Sequence, residues 1–131
     1  MILVDTSIWI DFLIDPHRVP EARDKIQDFV TCGPIVQEIL QGFADGPSYG
    51  RFRDRLLTFP RLSDPLPAER FLEAAAIYRE GRRRRITIRS TIDCLIAAIA
   101  IEHNAPVWHR DRDFTNIARY TGLKLFSKSV T

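Results

Sequence analysis

The stretch MILVDTSIWIDFLID, residues 1–15, changes its apolar period once, and that change decides the fold. Ile2-Leu3-Val4 is a continuous aliphatic run of the kind a strand needs when it is buried on both faces of a parallel sheet. Asp5-Thr6-Ser7 stops the run with residues that suit a helix N-cap. From Ser7 to Ile14 the apolar residues Ile8, Trp9, Phe12 and Leu13 recur at helical spacing, and Pro16 ends the segment. A buried strand feeding a helix is the unit of a sheet covered by helices, and it leaves Asp5 at the carboxyl end of the strand.

Downstream, Ala22, Ile26, Phe29 and Val30 predict a second helix over roughly 20–30. Gly33-Pro34 opens a third, carrying Ile35, Val36, Ile39, Leu40 and Phe43, with proline suited to a first turn. The Asp45-Gly46-Pro47 turn precedes a helix over 49–59, and the proline-punctuated residues 60–66 hold one short strand. A long helix runs from Pro67 toward Gly81. Ser90 or Thr91 caps another, with Ile92, Leu95, Ile96 and Ile99 at i, i+3, i+4 and i+7. Pro106-Val107-Trp108 predicts a strand, 111–120 a helix, and Leu123 to Phe126 a last strand. This alternation predicts the α/β class. The 131 residues, without repeats or linkers, fit a single domain over 1–131.

Composition narrows the class of function. Hydrophobic residues are 45% and charged residues 27%, as in a globular domain, and the net charge of +2 argues for no partner by itself. The charges are uneven: arginines crowd between Arg79 and Arg89 and predict a basic patch. Cys32 and Cys94 form no disulfide framework and read as packed, reduced thiols. The N-terminus does not resemble a signal peptide. No apolar run reaches the roughly 20 residues a membrane span needs. We therefore expect a cytoplasmic protein with no membrane partner.

Carboxylates gather at the expected sheet edge. Asp5 ends the first strand and Asp111 follows Val107-Trp108, so the two share an edge if both strands are parallel. Asp93 lies in the first turn of its helix, on a line with Ala97 and Ala100, and Glu38 stands about one turn beyond Pro34. Singly, Asp93 or Asp111 is explained by a favourable interaction with a helix N-terminus, whereas Asp5, ending an apolar strand, either caps the helix or needs something to compensate its lost hydration. Together, converging carboxylates would repel one another unless a cation neutralised them. Oxygen-only ligands favour Mg²⁺ or Mn²⁺ over zinc. A hard ion there would make a nearby water a better nucleophile and stabilise charge on a phosphodiester.

At these residues the sequence resembles the PIN-domain family, and within it the VapC-type toxins of bacterial toxin–antitoxin pairs. ILVDTSIWIDF is similar to the family's strand and first acid, carried by Asp5, and PIVQEILQG to the helix bearing Glu38. RSTIDCLIAAIA matches the third acid, Asp93, and WHRDRDFTNIA the fourth, Asp111, with Asp113 as an auxiliary acid. The resemblance covers nearly the whole chain. It implies an α/β/α sandwich with a central parallel sheet and a Mg²⁺- or Mn²⁺-dependent endoribonuclease with Asp5, Glu38, Asp93 and Asp111 as catalytic metal ligands. It also implies inhibition by a VapB-type antitoxin, and a homodimer.

Other residues keep two readings. The run Arg82-Arg83-Arg84-Arg85, with Arg79 and Arg89, contacts RNA phosphates beside the metal site, or else forms a solvated helix end or a surface for an acidic partner. Arg89, four residues before Asp93, is expected nearest the cleft. Thr6 and Ser7 cap the first helix or hydrogen-bond a water at the metal. His109 reads as structural, His17 and His103 show no zinc-ligand spacing, and Trp9 and Phe12 pack in the core or a dimer interface. The competing functions are a PIN-like RNA- or protein-binding module without catalysis, and a phosphatase. An aspartyl-phosphate enzyme would want a second Asp two residues after Asp5, where this chain has Ser7.

Overall fold

Ile2, Leu3 and Val4 form the strand their aliphatic run requires, β1 (Ile2–Val4), and all three are buried. The computed structural model describes residues 1–127. After β1 come α1 (Thr6–Ile14), β2 (Phe29–Cys32), α2 (Gly33–Gln41), α3 (Pro47–Leu56) and β3 (Arg61–Leu62). They are followed by α4 (Ala68–Arg83), α5 (Thr91–Glu102), β4 (Val107–Trp108) and α6 (Arg112–Ala118).

The strands form one parallel sheet in the order β3-β2-β1-β4. Leu3 pairs with Val30 on one side and Val107 on the other, so β1 is central and dry. The chain steps one way from β1 to β3 and returns past β1 to reach β4. Right-handed crossovers then put helices on both faces, giving an α/β/α sandwich. α1 packs on α2 and α2 on α3, while α4 packs on α5 and α5 on α6. Trp9 of α1 lies edge-on to Phe29 at 5.4 Å and Phe59 at 4.8 Å, and Phe29 meets Trp108 at 5.8 Å. This cluster, with Phe12, joins α1 to the sheet, and such pairs add about 0.5–1.5 kcal/mol each beyond their burial.

The structure departs from the sequence reading at three places. The helix expected over 20–30 is absent: Pro16–Arg18, Pro20–Ala22 and Ile26–Asp28 are single 3₁₀ turns, and 29–32 is β2. Phe29, Val30, Thr31 and Cys32 are all buried, and a β-branched or aromatic run buried on every residue suits a central strand. The last strand, expected over 123–126, is one parallel bridge from Leu125 to Val107, flanked by hydrogen bonds from Val107 N–H to Lys124 and from Phe126 N–H to Val107. Neither Thr6 nor Ser7 is the N-cap of α1; Asp5 holds that position without a side-chain cap bond. Both cysteines are buried and free.

α4 runs through Gly81, and Tyr120, just after α6, packs against the helix at that glycine. The Tyr120 hydroxyl donates to the Ile77 carbonyl at 2.8 Å and would stand 2.6 Å from a Cβ at Gly81. We expect Gly81→Ala to destabilise the chain by about 1–3 kcal/mol in urea denaturation. Adding Tyr120→Phe should cost less than the sum of the single changes, since it removes the clashing oxygen. Strict additivity would show that this contact does not set the helix position.

Candidate active site

Pairing places Asp5. Its backbone N–H donates to the Trp108 carbonyl at 2.9 Å, so the chain leaves β1 beside the end of β4. From there the two strands send the chain to opposite sides of the sheet, which makes the crevice where open α/β sheets hold ligands. Asp111 is the N-cap of α6, its Oδ1 accepting the Asp113 N–H at 2.9 Å. Asp93 sits in the first turn of α5 and Glu38 on α2. Asp5, Glu38, Asp93 and Asp111 line one cleft of about 640 Å³, together with Thr6, Ser7 and Arg89.

Two supports hold this arrangement. The Thr6 hydroxyl donates to Glu38 Oε1 at 2.9 Å, tying α1 to α2. Asp113 is buried, and its two oxygens accept the backbone N–H groups of Arg89 at 3.0 Å and Ser90 at 2.9 Å. The start of α5 is thereby fastened to α6, which fixes Asp93. Asp93, Asp111 and Asp113 each present an oxygen within 4.8 Å of the others. The auxiliary acid of the sequence reading therefore sits closer to Asp93 and Asp111 than its secondary standing suggested.

The electrostatics are those of a crowded, desolvated acid cluster. Burial pushes Asp5 up to about 6, with the charges of Glu38 and Asp111 adding to it and the Thr6 backbone N–H opposing it. Burial pushes Asp93 up to about 9, reinforced by its hydrogen bond with Asp113 and by the charges of Asp5, Asp111 and Asp113. Asp93 is 5% exposed, and its Oδ2 is buried with no hydrogen-bond partner among the described residues. An orphaned carboxylate oxygen facing other carboxylates fits a divalent cation. The donors are all oxygen. Burial lifts the thiols of Cys32 and Cys94 to about 12 and about 11, which keeps them protonated and unfit as soft-metal ligands.

Arg89 lines the cleft as expected, whereas Arg82, Arg83 and Arg84 do not. Arg83 and Arg84 each reach Glu80 at 3.0 Å, and Arg82 lies over Tyr78 at 5.9 Å. Arg110 and Arg112 line the cleft and were missed by the sequence reading, although both stand inside the WHRDRDFTNIA segment that carries Asp111. His109 is structural in its contacts: its Nδ1 accepts the Asp111 N–H at 3.1 Å. Trp9 and Phe12 are in the core. Among the described residues no helix is long and apolar enough to cross a membrane.

Comparisons with known proteins give the family and the fold. The PIN domain family model matches residues 2–120. The chain is 40% identical to a VapC ribonuclease of Mycobacterium bovis and to ribonuclease VapC11 of Mycobacterium tuberculosis, over 97% of this chain and 98% of each relative. In fold it is similar to VapBC2 from Rickettsia felis bound to a promoter DNA fragment, at TM-score 0.71 and 16% identity, over 96% of this chain and 98% of that one. It is also similar in fold to FitAcB from Neisseria gonorrhoeae, at TM-score 0.69 and 21% identity, over 97% of both chains.

Asp93 couples folding to pH. A carboxyl held above its ordinary 3.8 in the folded chain favours folding at low pH, and that contribution is lost as pH climbs toward about 9. In EDTA, wild-type stability should fall over this window, and Asp93→Asn should flatten the fall and be the more stable form at neutral pH. Urea denaturation across pH measures both. Parallel profiles would mean that Asp93 does not carry the proton.

Proposed function

The chain belongs to the PIN-domain family, among its VapC-type ribonucleases, and on that premise we propose that its acid cleft cuts RNA with the help of Mg²⁺ or Mn²⁺ as the toxin of a toxin–antitoxin pair. The observation that carries this reading is the gathering of Asp5, Glu38, Asp93 and Asp111 in one cleft around the partnerless Asp93 Oδ2. These four are the residues that would hold the cation. Once bound, it supplies Lewis-acid stabilisation of the phosphate and acidifies a water.

The chain's own contribution is positioning. Thr6 holds the Glu38 carboxylate in one orientation, and Asp113 holds the backbone that carries Asp93. Arg89, Arg110 and Arg112 stand at the cleft as cations for the phosphates of an RNA strand. Arg82, Arg83 and Arg84 offer a second, outlying basic surface for the same backbone or for an acidic partner segment. We further propose that the chain works in the cytoplasm as a homodimer and is inhibited by a VapB-type antitoxin, the last supported by its likeness in fold to a VapBC complex. A binding module that has lost catalysis is disfavoured, because every acid of the pattern is present in the cleft.

Purified chain, free of antitoxin, should cleave cellular RNA in Mg²⁺ or Mn²⁺ and not in EDTA. Asp5→Asn or Asp93→Asn should reduce cleavage by at least about a hundredfold while leaving the circular dichroism spectrum intact. Thr6→Val should cost about 10–100-fold, mostly in the metal concentration required, since it frees Glu38 without removing it. Full cleavage by Asp93→Asn would remove the acid cleft as the seat of the reaction.

A further inference from the structure

A second depression, of about 290 Å³, adjoins the acid cleft and differs from it in charge. It lies between the segment that follows α4 and the exposed side of α6, and its lining includes Arg85, Thr87, Arg89, Arg112, Asn116 and Arg119. Arg89 and Arg112 line both depressions, so the two adjoin at these side chains. Resting on the proposed ribonuclease reading, we infer that this groove is a track for the RNA backbone beside the scissile bond, gripped by Arg85, Arg112 and Arg119.

The pairing of the arginines is the first argument. Arg83 and Arg84 are tied to Glu80, Arg70 to Glu73 and Glu102, and Arg110 to Asp11. Among the described residues, Arg85, Arg89, Arg112 and Arg119 form no ion pair with a carboxylate. The one acid in the groove, Asp113, is buried and engages both oxygens with the Arg89 and Ser90 backbone N–H groups. Four guanidinium groups around one depression outnumber its one carboxylate, Asp113, which pairs with none of them, so the groove attracts an external anion, and their planar forks match phosphate oxygens.

Backbone and helix geometry add to this. Arg85 adopts φ 59°, in the left-handed region that glycine occupies with least strain, directly after α4. An arginine at that position puts a long cation where the turn needs no side chain at all. Along α6 and its C-cap, Arg112, Asn116 and Arg119 recur at i, i+4 and i+7, which is one helix face. That face runs away from the acid cleft, as a strand continuing past the cut site would. Adjacency to the acid cleft favours a polyanion with repeating phosphates over an isolated acidic side chain.

The test measures binding of a fluorescent, mixed-sequence single-stranded RNA in EDTA, where no cleavage occurs, as a function of salt. Removing one arginine–phosphate interaction should reduce the slope of log K against log salt by about 0.7, so the double variant Arg85→Gln/Arg119→Gln should lower it by about 1.4. Arg85→Lys/Arg119→Lys should restore most of the slope, and thermal melting would verify that both are folded. An intact slope in the glutamine variant, with the reduction occurring instead in Arg83→Gln/Arg84→Gln, would overturn the inference and move the track to the end of α4. An intact slope accompanied by weakened binding of a polyglutamate peptide would also overturn it, assigning the groove to an acidic protein segment. The readout is independent of the proposed reaction: a wild type that cuts no RNA in any metal would sink the ribonuclease reading while leaving the binding slopes to be judged alone.

Discussion

The parallel pairing of β1 with β4 governs this molecule, because it forces an acid to leave a dry strand at the place where the sheet changes direction. Leu3 and Val4 have no exposure, and Asp5 follows them with its N–H already committed to Trp108. The carboxylate cannot retreat into water without breaking the pairing that centres the sheet. Burying it is costly, and the aromatic cluster of Trp9, Phe12, Phe29 and Trp108 supplies packing on the strands that flank it. The remaining cost shows in the titration of the two acids: burial lifts Asp5 to about 6 and Asp93 to about 9, so of the two it is Asp93 that favours its protonated form at neutral pH.

The acids come from four separate stretches of chain, so their mutual placement depends on ties between elements. Thr6 connects α1 to α2 through Glu38, and Asp113 connects α6 to the start of α5 through two backbone donors. Asp111 in turn caps the helix that carries Asp113. Each tie uses a polar group that would otherwise be destabilising inside a cleft, and converts it into orientation for a neighbour. Asp113 is the clearest case. Its oxygens hold the Arg89 and Ser90 backbone and also reach Asp93, so its removal would release both the start of α5 and the Arg89 side of the arginine groove.

How much of the fold is legible in the sequence follows from how each segment carries its information. β1 with α1, and α2, α5 and α6, are readable because a period change or a long helical stripe falls within each local stretch. β3 and β4, of two residues each, are also anticipated, within 60–66 and at 106–108, because proline-bounded apolar residues mark them, whereas the strand order is a tertiary fact. Ala22, Ile26, Phe29 and Val30 fit a helix as well as anything local, and only the slot beside β1 makes Phe29–Cys32 a strand. At the site, the strand-end position marks Asp5, whereas Asp113 looks secondary because nothing in sequence says that its oxygens reach Arg89 and Ser90. The arginine run at 82–85 dominates the basic reading, yet Glu80 stands three and four residues before Arg83 and Arg84, at pairing distance on a helix. Arg85 and Arg119 are far apart in sequence and meet only after folding.

Charge separation within the cleft explains why its acids remain available for a cation. A guanidinium paired directly with Asp5 or Asp93 would lower that acid's pKa, and both are raised. Arg110, the rim arginine with an ion pair, is drawn to Asp11 at 2.6 Å, away from the acids, and Arg89 and Arg112 face the cleft without a carboxylate partner among the described residues. The net charge of +2 therefore conceals two fields of opposite sign side by side. Had the arginines neutralised the acids, the fold would be more stable and the cleft inert. Because they stand apart, the acids still demand a cation and the arginines still demand an anion, and a phosphodiester strand carrying its counter-ion meets both demands at once.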